Sequence, residues 1–219
     1  MAEIYLATPL RPEGRLNIET AMFCNLMDRR ENVIWGYIKT FSAEMSRNNL
    51  IEDHNNSKIM WTHVMFVDSD VAPPIFALDK LLKMDADIAT GIYPILLSEA
   101  LYWDVTDMED NWIPYHETLP TKPFETVSCG AGCLLVKKEV IDKMDWPYFK
   151  MVYQPKYPTG NPMKQGEDIY FSQKARDLGY KIIANPAVRC RHFHNTELSK
   201  IYKDIKKQVE TKEVRIEKA

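Results

Sequence analysis

His63-Val64-Met65-Phe66-Val67-Asp68-Ser69-Asp70 is the stretch on which the fold turns. Its first five residues form a continuous apolar run of β-branched and aromatic types, the pattern of a strand buried on both faces of a parallel sheet. Two carboxylates one residue apart then follow. At the end of such a strand they point out of the core into the crevice beyond the carboxyl ends of the strands, where open α/β sheets bind ligands. Hard divalent cations take oxygen ligands and bridge protein carboxylates to substrate phosphates. The pattern points to metal-assisted chemistry on a diphosphate compound. The plain alternative for an Asp-x-Asp is a surface turn.

Working outward, strand and helix signals alternate. Residues 3–8 read as a first strand, ended by Pro9 and Pro12. Residues 17–30 carry Ile18, Met22, Phe23, Leu26 and Met27 at helical spacing. A second strand covers 33–38, and Ser42 is placed to cap a helix running to about residue 53. After the acidic strand end, Pro73 and Pro74 suit the opening turn of a helix whose apolar face is Ile75, Leu78, Leu81 and Leu82. Residues 88–97 are strand-like again. This order predicts one α/β domain over 1–196, with a mostly parallel central sheet and helices on both faces.

The later chain is less regular. Residues 98–124 suggest a hairpin or loop over the sheet edge, holding Trp103, Trp112 and Tyr115. A strand over 126–136 and a helix over 138–145 follow. Four Pro and Gly residues between 153 and 165 read as a loop. A helix over 167–178 ends at Gly179, and a strand over 180–184 precedes a run back towards the acids. Residues 197–219 read as a charged helix packed on the body or on a partner.

Composition narrows the function. The 219 residues suffice for one sizeable core. A net charge of -3 argues against general affinity for nucleic acid or anionic membrane. No apolar run nears the roughly 20 residues that span a bilayer, and no signal-peptide pattern opens the chain, so the expected location is the cytoplasm. The four cysteines match no zinc or disulfide spacing and read as reduced, buried thiols.

Three further motifs carry chemistry. Gly166-Glu167-Asp168 enters a helix, where acids favour the first turn in any case and where a catalytic base can also be held. Arg191-His192-Phe193-His194 offers an imidazole acceptable to manganese-like ions, and alternation lets one of the two histidines face the site. Gly130-Ala131-Gly132 lacks a dinucleotide fingerprint and reads as close backbone approach to a ligand or as simple packing.

In this order the motifs resemble a GT-A glycosyltransferase of the family-two-like kind, from about residue 4 to 194. The matching pieces are Thr8-Pro9-Leu10-Arg11, Ser46-Arg47-Asn48, Phe66–Asp70, Thr90–Pro94, Ser128–Leu135, Glu167-Asp168 and His192. The resemblance implies a metal-dependent enzyme that moves a sugar from a UDP- or GDP-linked donor to an acceptor hydroxyl with inversion. On that resemblance Asp70 and His192, with Asp68, are expected to hold Mn²⁺ or Mg²⁺, Asp168 to be the base, and Glu167 to position donor or acceptor. Thr8, Pro9, Arg11, Arg47, Asn48, Asp68, Gly130 and Gly132 surround the nucleotide sugar. The acceptor is a carbohydrate, a protein or a lipid-linked group. Lys39-Thr40 stands where relatives carry a base-holding acid, which leaves the base open. A retaining transferase, or a non-catalytic nucleotide- or glycan-binding module, fits the same scaffold.

Overall fold

A computed structural model describes residues 2–97, 100–154 and 163–193. Its elements are β1 (Ile4–Leu10), α1 (Ile18–Asp28), β2 (Val33–Lys39), α2 (Ala43–Asn56), β3 (His63–Val67), β4 (Val71–Ala72) and α3 (Ala77–Leu82). There follow β5 (Ile88–Ile92), β6 (Pro94–Leu97), β7 (Ala100–Thr106), β8 (Trp112–Pro114), β9 (Phe124–Thr126), β10 (Cys133–Lys137) and α4 (Lys138–Lys143). The chain closes with β11 (Val152–Gln154), β12 (Met163–Gln165), α5 (Glu167–Asp177), β13 (Ile182–Arg189) and β14 (Arg191–His192).

The central sheet has seven strands in the order β2-β1-β3-β10-β5-β13-β9. The strands β2, β1, β3, β5 and β13 run one way; β10 and β9 run against them. The sheet is thus mostly parallel, as the βα order predicts. The single strand expected over 126–136 is two strands. Its ends lie at different places in the sheet, β9 at the edge and β10 in the centre, joined by a crossing segment that bridges to β7 at Val105 and Cys129.

Local chemistry explains the element ends. The Asn17 side chain accepts the Glu19 amide and caps α1, and Ser42 caps α2 through the Met45 amide. β1 runs on through Pro9 to Leu10. Its ladder with β3 stops at Ala7, so the missing proline N–H falls on the side that has no partner strand, while the Leu10 carbonyl accepts from Thr40 on the β2 side. The strand expected over 88–97 breaks at Tyr93-Pro94, where the chain leaves the main sheet and starts the three-stranded β6-β7-β8 sheet. That sheet is the excursion expected over 98–124. Ile75, assigned to the core face of α3, is 61% exposed, whereas Leu78 and Leu81 are buried.

Alternation along β1 sorts its side chains into two apolar clusters. Tyr5 and Ala7 join Leu50 and Ile51 of α2, Val140 and Ile141 of α4, and Phe171 and Ala175 of α5. Ile4 and Leu6 join Phe23, Cys24 and Met27 of α1, with Ala77, Leu78 and Leu81 of α3. All four cysteines are buried and free. No described helix is long and apolar enough to cross a membrane. Of the expected loop over 153–165, the flanks pair as the β11-β12 hairpin and 155–162 lie outside the described residues. The helix expected over 197–219 and His194 also lie outside them.

Candidate active site

The site is assembled where β1 and β3 end. Asp68 follows β3 directly, and Arg11 follows β1. A cleft of about 650 Å³ opens there, lined by Pro9 and Arg11, Thr40–Ser42, Asp68 and Asp70, Glu167 and His192. The small β4-β14 sheet brings the late histidine in: His192 pairs with Val71, and the Phe193 amide bonds the Asp70 carbonyl.

His192 and Asp70 face each other, with Nε2 3.8 Å from Oδ2. The other ring nitrogen, Nδ1, lies 2.8 Å from the Pro94 carbonyl. A carbonyl only accepts, so Nδ1 carries the hydrogen and Nε2 is the atom turned to Asp70. Burial depresses the His192 pKa, but the bonds and charge of Asp70 and the Pro94 carbonyl outweigh it, and the net shift is upward. Burial raises Asp70, yet His192 and an Asp70 backbone hydrogen bond carry it below the ordinary carboxylate range.

Asp68 is turned elsewhere. The Arg47 guanidinium, 3% exposed, donates to Asp68 Oδ1 at 2.6 Å and also pairs with Glu167. Burial opposes the Arg47 charge, but the two carboxylates outweigh it and hold the group protonated. Its ring-facing side lies 5.6 Å from the Phe149 centroid. Among the described residues, no group of three or more His, Cys, Asp and Glu side chains stands ready to hold a metal. Of the three residues expected as ligands, Asp70 and His192 face one another, while Asp68 pairs with Arg47.

Glu167 and Asp168 open α5. Asp168 is partly buried, and its Oδ1 accepts the Ile169 amide at 2.9 Å. Burial, then the Glu167 charge, outweigh Arg47 and push its pKa up to about 6. A carboxyl near neutrality suits a general base better than an ordinary aspartate does.

Other residues expected around the nucleotide sugar have partners within the fold. Thr8 is fully buried; its hydroxyl accepts the Trp35 indole N–H at 3.0 Å and faces Cys24. Asn48 holds residues 148–149 through three hydrogen bonds, donating to the Phe149 carbonyl and accepting both amides. Gly130 and Gly132 pack against the Tyr93 hydroxyl. Thr40, at the position of the missing acid, bonds the Ser42 carbonyl and the Ser46 hydroxyl at the start of α2. Trp103, from the 98–124 excursion, is buried with its ring 4.5 Å from Tyr115. Sequence reasoning missed Tyr93 and the fully buried Asp104. Their signal was a lone acid inside the apolar strand Trp103-Asp104-Val105.

No family model matches the chain, and no curated protein matches it in sequence. Among solved structures, A197 from STIV is similar at a TM-score of 0.59 and 16% identity, over 88% of this chain and 86% of that one. GalNAc-T7, solved with UDP, GalNAc and Mn²⁺, is similar at 0.52 and 10% identity, over 89% of this chain and 44% of that one. These likenesses establish a shared fold, a GT-A-like mixed α/β sheet.

Proposed function

We propose that this chain is a glycosyltransferase that uses a nucleotide-diphosphate sugar, UDP- or GDP-linked, and transfers the sugar to an acceptor hydroxyl with inversion. One observation carries the reading: Asp70 and His192, from stretches over a hundred residues apart, meet in the wall of a cleft that Glu167 also lines. The shared fold with GalNAc-T7 supports it.

The donor set suits Mn²⁺ or Mg²⁺. A carboxylate oxygen and an imidazole nitrogen are acceptable ligands, and such ions complete their shell with substrate phosphates and water. Asp70 and His192 are the residues to hold the ion. When bound, the ion supplies Lewis-acid assistance to the departing diphosphate. Pro94 fixes the ring so that Nε2 stays presented. Arg11 lies at the cleft wall, placed to meet donor phosphate. Arg47 orients Asp68 and Glu167 from beneath. Asp168 accepts the proton of the acceptor hydroxyl as the new glycosidic bond forms.

The test combines binding and turnover. UDP- and GDP-sugars with Mn²⁺ should raise the melting temperature of the protein. Asp70→Ala should stay folded and lose metal-dependent donor hydrolysis. Full hydrolysis in that variant removes the assigned role of Asp70, and no stabilisation by any nucleotide sugar removes the transferase reading.

A further inference from the structure

Tyr93 follows β5 at the same end of the sheet where Asp68 follows β3. It is 4% exposed and touches both halves of the site. Its hydroxyl accepts the Gly132 amide at 2.9 Å, and the Gly132 carbonyl accepts the Asp68 amide at 3.2 Å. Its ring meets the His192 ring edge-on, with centroids 5.3 Å apart. Its own amide donates to Asp104 Oδ1 at 2.9 Å, and Asp104 and Tyr93 are joined again through the Asp104 amide and Tyr93 carbonyl at 3.0 Å. Asp104 has no exposed surface, and its Oδ2 has no hydrogen-bond partner among the described residues. Burial pushes the Asp104 carboxyl well above the ordinary carboxylate range, against the hydrogen bonds from Tyr93.

The glycines of Gly130-Ala131-Gly132 follow from this arrangement. A Cβ on Gly130 meets the Tyr93 hydroxyl at 2.3 Å, and one on Gly132 meets it at 2.6 Å. Both distances are far inside van der Waals contact. The motif therefore makes room for the Tyr93 side chain.

We infer that Tyr93, braced by Asp104, is a positioning residue that sets the Asp68 main chain and the His192 ring relative to one another. The inference rests on the transferase reading for its catalytic consequence and on geometry alone for its structural one. Outer-shell groups of this kind change metal affinity or activity by about 10–100-fold when removed.

Tyr93→Phe keeps the ring and removes only the hydroxyl. In the folded variant the Asp68 amide and the His192 ring resonances should shift in NMR spectra, while amides far from the site stay in place. Donor hydrolysis with Mn²⁺ should fall about tenfold or more. A second comparison guards against a general loss of folding. Gly130→Ala should lower the melting temperature strongly in the native background and less in the Tyr93→Phe background, because the nearest atom, the hydroxyl at 2.3 Å, is gone while Asp104 Oδ2 at 3.1 Å and the ring carbon at 3.2 Å remain. Unmoved Asp68 and His192 signals, or an equal loss from Gly130→Ala in both backgrounds, overturn the inference. Absence of hydrolysis in the unmodified protein overturns the transferase reading instead, and the NMR and melting comparisons still decide the role of Tyr93.

Discussion

Replacing Asp168 by asparagine should make the protein more stable and less active, and both effects should follow pH. The Asp168 carboxyl sits at about 6 in the fold against 3.8 for the free side chain. At 1.36 kcal/mol per pH unit, ionising it inside the fold costs about 3 kcal/mol more than in the unfolded chain. The sign follows from where the proton is held. The folded state keeps it up to pH about 6, the unfolded state only to 3.8. The contribution is therefore fully favourable below 3.8 and is lost as pH rises through 6. Asparagine is neutral throughout and its oxygen can still accept the Ile169 amide. Urea unfolding at pH 8 should show Asp168→Asn more stable than the native chain by about 3 kcal/mol, and at pH 4 by only about 0.5 kcal/mol. Sugar transfer by the native protein should climb about tenfold per pH unit below 6 and level off above, since the base works only when ionised. Transfer by the variant should be low at every pH. A stability gain that is absent at pH 8, or that persists unchanged at pH 4, refutes the placement of this carboxyl in an unfavourable environment.

Two further substitutions probe residues whose side chains are committed elsewhere than first reading suggests. Arg47→Met leaves the Asp68 and Glu167 carboxylates without their shared cation and should cost about 3–5 kcal/mol in urea unfolding. Thr8→Val removes the acceptor of the Trp35 indole and should cost about 1 kcal/mol while donor affinity, measured by calorimetry, stays unchanged; a large loss of donor affinity would return Thr8 to the nucleotide.

The strand at 63–67, its acidic end and the cap at Ser42 were legible because each is decided locally, by runs of apolar residues and by a side chain reaching three positions along the chain. Pairing in space is another matter. Arg47 reads as a ligand contact because an arginine beside an asparagine at a helix start carries no mark of its partners, which lie 21 and 120 positions away. Thr8 reads as a nucleotide contact because Pro9 ends the expected strand right after it, whereas the strand goes on once the β3 ladder has stopped and no donor is needed on that side. The reversal of β10 between β3 and β5 leaves no trace in periodicity, since a buried strand is apolar in either direction. Asp104 is different. A charged residue with apolar neighbours in a strand is a local signal, and its cost under burial demands a reason. That reason is Tyr93, and through it the glycines, so the one acid that breaks the pattern leads to the support beneath Asp68 and His192.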